Sequence, residues 1–573
     1  VGQTIRRNVR QEHTMPKTHP VTRRTTLAGL SAAAAAATFP ALAEGPRSTA
    51  GVFRHGVASG DPDASSVVLW TRVTVSTPLE VEWELASDPR FSKMVRQGRM
   101  MTGPDRDYTV KVLAEGLEPG ARYFYRFRAA GATSITGQTR TLPVGLVERL
   151  GIALASCSNF AFGYFNAYDA IARDPAVDFV LHTGDYIYEY GADGWGGETA
   201  RKLGRVHEPA GEIVSLSDYR IRHAQYKTDA ASQAMLAAKP LIACWDDHES
   251  TNNPWTGGAQ NHQPDEEGDW AERRAASIRA YFEWMPVREP GPGRTRMQFW
   301  RTYVFGDLAT LTTLETRHTA RARQIDYEPY RKTIASHADA RAMERDTFAA
   351  IGRSMLSREL EADLTSAWVR SRQLGQPWRL IGNPMPIART RVPDVVGLGL
   401  IPDPAKQAKP LSAALDLAWK GKWNLPFYPD TWDGYEWARE RLYSQARDVG
   451  ANDLIFLTGD SHSFWANRLA DAAGRRAGIE LGTAGITSPG DFVESGFDRQ
   501  TAARLDAAFA EHNPEVIWTD NLHQGYVRLV LMPNGGTADF LAVSDVRSRR
   551  YQVRKISSWQ IARGSEGIDL VRS

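Results

Sequence analysis

The segment 177–190, VDFVLHTGDYIYEY, constrains this chain more than any other. A short apolar run stops at Thr183-Gly184, Asp185 follows at once, and Tyr188 stands three residues later. A buried strand that ends at Gly-Asp delivers a carboxylate to the C-terminal rim of a sheet, where α/β proteins seat their ligands. Asp is a poor strand former and Gly ends strands, so propensity does not account for the pair. An Asp-x-x-Tyr pair sets a phenol oxygen beside a carboxylate, which suits a hard trivalent cation such as Fe(III). The same residues also make an ordinary exit from a strand into a turn.

The pattern recurs. GIALAS at 151–156 ends at Cys157-Ser158-Asn159, the run 240–245 ends at Asp246-Asp247-His248-Glu249, and 454–458 ends at Gly459-Asp460-Ser461-His462. Between them lie helical stretches at 164–173, 218–238 and 265–284, the last read as a solvated charged face. Further strands are expected at 304–314, at 378–382 ending in Asn383, at 480–487 and at 525–532, with 395–425 as a surface loop holding some helix. Strands alternating with helices imply an α/β domain over 147–573. Residues 44–146 read differently. Strand-like runs at 67–72, 79–85 and 122–127, broken by turn clusters, fit an all-β sandwich of the fibronectin III or immunoglobulin kind. The order Leu117, Pro119-Gly120, Tyr123 resembles a tyrosine corner, and the module carries no catalytic pattern, so its expected role is to brace its neighbour.

At the N-terminus, Arg23-Arg24 precede an Ala-rich apolar run at 27–39, closed by Ala41-Leu42-Ala43. That is the form of a twin-arginine export signal over 1–43, cleaved after Ala43, with 1–14 read as lying upstream of a start at Met15. Periplasmic or secreted placement follows, with the twin-arginine translocase as the export partner. The leader is too short to span a bilayer and no later stretch of about 18 apolar residues exists, so no transmembrane anchor is expected. A net charge of +2 gives no support for a stable nucleic-acid partner. Seventeen Trp suit either packed sandwiches or aromatic-lined clefts. The two cysteines, Cys157 and Cys244, both end apolar runs, and a disulfide between them remains open because sequence does not set Cα separation.

If the four strand ends share one sheet edge, Asp185, Asp246, Asp247 and Asp460 gather four carboxylates. Such a group in a dry cleft repels itself and loses hydration unless cations neutralise it. Cys157 as thiolate and Tyr188 as phenolate add negative ligands for a highly charged ion.

The ordered motifs ASCSNF, TGDYIYEY, WDDHE, LETR and LTGDSH resemble those of the alkaline phosphatase D (PhoD-type) family of metallophosphatases. HGVASGDP and VVLWTRV near the front and DTWDGY at 430–435 extend the likeness along the chain after the leader. The Asp185-x-x-Tyr188 pair is also similar to that of purple acid phosphatases. The resemblance implies a calcineurin-like four-layer α/β/β/α domain and a site of Fe(III) and Ca2+. By motif, Cys157, Asp185 and Tyr188 hold iron, Asp185 bridges to calcium, and Asp246 and Asp247 contact calcium with Asn253 as an extra ligand. Asp460 and His462 supply the final motif with the metal of each left open, and Asn383 is a weaker candidate. Two departures touch Arg317 and Asn253: Glu315 stands where the family has Asp, and Ser250-Thr251 replace a more acidic or apolar pair.

The chemistry implied is metal-assisted hydrolysis of phosphate mono- or diesters, with small organic phosphates, nucleotides or phospholipid headgroups as substrates. His248 is read as the acid or phosphate contact, or else as a histidine that orients Asp247. Asn159 can donate to phosphate, and Arg317 can clamp it or serve in a salt bridge. A phospholipase D-like diesterase is the alternative, favoured by any exposed apolar residues within 395–401. A decayed, non-catalytic phosphate-binding module is the competing class, and the retained ligand set argues against it.

Overall fold

Each apolar run that ends in a candidate ligand forms a strand buried at every position in the computed structural model, which describes residues 51–564 and 567–573. The leader 1–43, its paired arginines, its cleavage site and the start at Met15 lie outside the described residues. Leu150–Ala155, Phe179–His182 and Leu241–Ala243 pair in parallel at the middle of a ten-stranded sheet. Gln524–Met532 and the C-terminal strands continue that sheet on one side, antiparallel. Leu454–Thr458 lies in a second, seven-stranded sheet, parallel to Trp378–Asn383. The four strand ends therefore meet from two sheets, where the sequence suggested one edge.

Leu154, Leu181, Ile242, Leu311, Leu380, Ile455 and Leu529 belong to one buried cluster that draws on both sheets. Each such side chain contributes about 1.5–3 kcal/mol on burial, enough to lock sheet against sheet. The helices Asn166–Arg173 and Ala230–Ala238 join the cluster of the first sheet, and Arg358–Gln373 and Glu436–Asp448 that of the second. The result is a four-layer α/β/β/α domain, as the resemblance implied.

The N-terminal sandwich has one independent sheet, built on Met94–Thr102, Leu79–Ala86 and Arg122–Ala129. Its other strands, Val57–Gly60, Ser66–Arg72 and Thr109–Glu115, form the edge of the ten-stranded sheet, joined where Gly60 pairs with Leu241. The sheet thus runs on across residue 146. Trp70 Nε1 donates to the Glu283 carbonyl at 2.9 Å and Tyr303 donates to Asp61 at 3.1 Å, which gives the bracing role its contacts. The tyrosine corner is present, with the Glu118 backbone N–H donating to the Tyr123 hydroxyl at 2.8 Å.

Several elements differ from expectation. Residues 218–238 form two helices, Leu216–Tyr226 and Ala230–Ala238, because Asp229 caps the second through the N–H groups of Ala231 and Ser232. Residues 265–284 also divide, into Pro264–Glu267 and Trp270–Trp284 with Asp269 as cap. The second of these is no solvated face, since Trp270, Arg273, Ile278, Tyr281, Phe282 and Trp284 are buried. The strand placed at 480–487 is Arg476–Gly482. Residues 395–425 carry the helix Ser412–Trp423 and their own small core, in which Val395, Ile401 and Leu417 meet Phe427, Phe492 and Phe509. Cys157 and Cys244 are both free and buried, so the disulfide is set aside. Of the tryptophans, Trp70, Trp245, Trp284, Trp368, Trp378 and Trp432 are fully buried, while Trp195 stacks on His462 and Trp255 lines the cleft described below.

Candidate metal centre

The ligand residues sit where the backbone leaves its strands, and it leaves them in an unfavourable conformation. Cys157, Asp185, Asp460 and His462 all have positive φ, between 53° and 63°. A left-handed non-glycine residue costs about 1–2 kcal/mol, and such residues collect at functional sites because surrounding structure holds them. Here the holding groups are visible. The Cys157 N–H donates to the Gly184 carbonyl at 3.2 Å, and the Ser158 N–H to the Asp185 carbonyl at 2.9 Å. Glu249 accepts from the backbone N–H groups of Asp185, Tyr186 and Asp246, tying two strand exits together. The glycines of the two Gly-Asp pairs are set by crowding. A Cβ at Gly184 would meet the Asp246 Cβ at 2.4 Å, and one at Gly459 would meet the Ser156 Oγ at 2.2 Å.

Ligand atoms of Cys157, Asp185 and His462 lie within 4.8 Å of one another, as do those of Asp185, Asp246, Asp247 and Asp460. Asp185 belongs to both groups, and to a third with Asp247 and His248. Its Oδ2 lies 3.4 Å from the Cys157 Sγ and 3.1 Å from the Tyr188 hydroxyl. The Tyr188 hydroxyl lies 3.4 Å from the His462 Nε2 and 2.9 Å from the Ser488 hydroxyl. Asp185 Oδ1, Asp246 Oδ2 and Asp247 Oδ1 are buried with no hydrogen-bond partner among the described residues. Unpaired buried carboxylate oxygens are strongly disfavoured, and three of them turned into one ligand group fit cations and little else.

The charges agree. Burial, then the Asp247 charge, pushes Asp185 well above the carboxylate range, and burial likewise raises Asp246 and Asp460. Asp247 is buried too, yet the charges of His248 and Arg317 pull it below that range. Burial raises the Cys157 thiol and the Tyr188 phenol, with Asp185 adding to both. Without positive charge this nest holds protons. A bound cation would favour the ionised forms of the same groups. Burial lowers His462 to about 3, which keeps its imidazole neutral.

His248 has the opposite setting. Burial opposes its charge, but the carboxylates of Asp247, Glu189 and Asp185 raise it well above its ordinary value. Its Nδ1 lies 2.6 Å from Glu189 Oε2 and its Nε2 lies 3.8 Å from Asp247 Oδ2, while its ring stacks on Tyr188 at 4.2 Å. Glu189 is held by Thr251, the Asn252 N–H and Asn261. Asn159 is buried, with its Oδ1 used to cap the short helix Phe160–Phe162 and its Nδ2 without a partner among the described residues. Arg317 is wholly buried, its Nε 2.5 Å from Asp246, with Asp460 at 3.6 Å and Asp247 and Asp430 at 3.8 Å. It therefore sits in a salt bridge within the acid nest.

Two further expected ligands tie loops together beside the centre, with the side-chain amide oxygen of Asn253 left without a partner among the described residues. Asn253 donates its backbone N–H to Asp247 at 2.9 Å and its side-chain amide to Gln260 at 2.7 Å. Asn383 donates to the Met385 carbonyl and accepts from the Trp432 indole, which makes it a link between loops. The Glu315 departure is accommodated: its carboxylate accepts from the N–H groups of Arg317, His318 and Thr319 and shapes the turn that presents Arg317. Ser250 and Thr251 bond the Asp247 carbonyl and Glu189. Sequence reasoning missed Glu189, Glu249, Ser488 and Trp195, which stacks on His462 at 5.4 Å. The first two stand inside motifs already quoted, and their burial was the missing signal.

A family model described as "PhoD-like phosphatase" matches residues 152–540, and one for its N-terminal domain matches 37–143. The chain belongs to the PhoD-like phosphatase family. It is 34% identical over 564 residues to alkaline phosphatase D of Bacillus subtilis (strain 168), a match covering 91% of this chain and 85% of that protein. A solved structure titled "Structure of PhoD" superimposes with a TM-score of 0.72 at 29% identity, covering 92% of this chain and 94% of that one. This PhoD-like chain is thus an enzyme that hydrolyses phosphoric esters, and the non-catalytic module is set aside.

Proposed function

We propose that this chain is an exported, metal-dependent phosphoesterase whose centre takes Fe(III) and calcium. The observation that carries the reading is the set of unpaired buried oxygens on Asp185, Asp246 and Asp247, with the Cys157 thiol, the Tyr188 phenol and the His462 imidazole gathered beside Asp185. Cys157, Asp185, Tyr188 and His462 would hold the iron, since anionic sulfur and phenolate donors favour a trivalent ion. Asp246, Asp247 and Asp460 would hold calcium, with Asp185 shared. Bound there, the ions supply an acidic water and positive charge for the phosphoryl oxygens.

The chain's own residues do the rest. His248, kept charged by Glu189 and Asp247, gives a proton to the leaving oxygen. Asn159 Nδ2, free of other partners among the described residues, donates to a phosphate oxygen. Arg317 balances the acid nest. Ser488 orients the Tyr188 hydroxyl. Small organic phosphates and nucleotides are the substrates, reached in the periplasm or outside the cell after twin-arginine export.

The phospholipase D-like reading called for exposed apolar residues within 395–401. Leu398 is 60% exposed there, while Val395 and Ile401 are buried in the small core, so one apolar side chain of the segment is open to lipid and the diesterase stands as the second reading. Among the described residues no helix is long and apolar enough to cross a membrane.

The test is metal content and visible spectrum of protein exported through its own leader. Iron and calcium with a charge-transfer band, changed in Cys157→Ser and Tyr188→Phe, are expected. A colourless protein that releases phosphate without iron would end the iron assignment.

A further inference from the structure

Beside the ligand cluster opens a cleft of about 620 Å³, far larger than a phosphate needs. Two of its lining residues touch the centre. Asn253, which lines it, holds Asp247 through its backbone N–H at 2.9 Å, and Asp430, also in its wall, has its carboxylate 3.8 Å from Arg317 Nη1. The cleft thus adjoins the acid nest through these two residues and follows a hairpin of Pro254–Trp255 and Gly258–Ala259.

The hairpin is fastened. Thr256 takes the Arg321 carbonyl with both its N–H and its hydroxyl, and Arg274 donates to the Thr256 carbonyl at 2.7 Å. From the next wall, the Gln324 amide donates to the Asn253 carbonyl at 3.2 Å. On this frame Arg323 lays its guanidinium over the Trp255 ring, 5.0 Å from its centre.

The cations of the cleft are not equivalent. Arg331 pairs with Asp416 and Glu328, and Lys420 with Asp416. Asp326 turns its carboxylate to the Glu328 N–H. Arg323 has no hydrogen bond or ion pair among the described residues. On the next residue, which also lines the cleft, Gln324 Oε1 is buried and has no partner among the described residues. A planar fork pre-set on an aromatic ring recognises a phosphate or carboxylate through paired N–H groups. A hydroxyl on the same ligand satisfies the amide oxygen.

We propose that this cleft is a leaving-group subsite, in which Trp255 and Arg323 select phosphoesters whose hydroxylated leaving group carries a second anionic group. The proposal rests on the hydrolase reading above and adds a specificity determinant to it. Arg323 is a specificity residue and touches no reacting atom.

The test compares phosphate release from adenosine 3′,5′-bisphosphate and from adenosine 5′-monophosphate by the metal-loaded full chain and its Arg323→Ala and Arg323→Glu variants. p-Nitrophenyl phosphate reports the chemistry alone. Arg323 is exposed, so the fold is expected to survive both substitutions. Arg323→Ala should lower kcat/KM for the bisphosphate about five- to tenfold, mostly through KM, with less than about twofold change for the other two substrates. Arg323→Glu should fall further on the bisphosphate alone. Equal losses on all three substrates, or no loss on the bisphosphate, would overturn the subsite while leaving the hydrolase intact. A wild-type chain that turns over p-nitrophenyl phosphate but prefers the monophosphate to the bisphosphate would overturn it as well. No turnover of any substrate by iron- and calcium-loaded protein would instead remove the hydrolase reading on which the subsite stands.

Discussion

Replacing Arg317 by Met separates two roles that this arginine could play. Its guanidinium is fully buried, 2.5 Å from Asp246 and 3.6–3.8 Å from Asp460, Asp247 and Asp430. At an effective dielectric near 20, a unit charge pair about 4 Å apart is worth about 4 kcal/mol before desolvation is subtracted. Removing one partner of a buried pair typically costs about 3–5 kcal/mol, because the other charge is stranded. Met keeps most of the volume, so a packing defect adds little. We therefore expect Arg317→Met to lose about 3–5 kcal/mol in metal-free protein. With a urea slope near 3 kcal/mol/M, that moves the unfolding midpoint down by about 1 M or more. The assay is urea unfolding at pH 8 in chelator, repeated with millimolar calcium. Calcium should recover part of the loss, since a divalent ion bound only by the folded chain supplies the missing charge. A midpoint shifted by less than about 0.3 M, with activity lost all the same, would refute the reasoning and make Arg317 a phosphate clamp.

Two further outcomes follow from the same charges. Asp185, Asp246 and Asp460 have folded pKa values raised above the ordinary 3.8, so the metal-free fold binds their protons more tightly than the unfolded chain does. Their contribution is greatest at low pH and is lost as pH rises above about 4, while Asp247, whose value is lowered, acts in the opposite sense. The gap between calcium-loaded and metal-free melting temperatures should therefore widen from pH 5 to pH 8, and a constant gap would contradict the site. Glu189→Gln keeps the hydrogen bonds from Thr251 and Asn261 but removes the charge that helps hold His248 protonated. Activity should fall about 10- to 100-fold and the alkaline limb of the pH–rate profile should move to lower pH. An unmoved limb would take the proton-donor role from His248.

Much of the centre was legible because strand ends are local. Cys157, Asp185, Asp247 and Asp460 each follow a short apolar run, and a run of that length that ends in Gly-Asp or Asp-Asp states both burial and exit. The sandwich strands were readable for the same reason, from alternation and turn residues. Helix breaks at Asp229 and Asp269 were less visible, because an acidic cap inside a helical pattern looks like one more surface residue.

The sequence by itself determined which residues gather at the centre, since residue type and strand-end position are properties of a few adjacent residues. Tertiary structure alone decided how those residues share the work. Asp185 belongs to three ligand groups, Asn253 turns its amide to Gln260, and Arg317 lies inside the acid nest. Glu189 reaches His248 across 59 residues and Tyr188 reaches Ser488 across 300. Those partnerships follow from two sheets packing face to face, and a side chain's charge and partners are set by what lies across the gap, which no local pattern encodes.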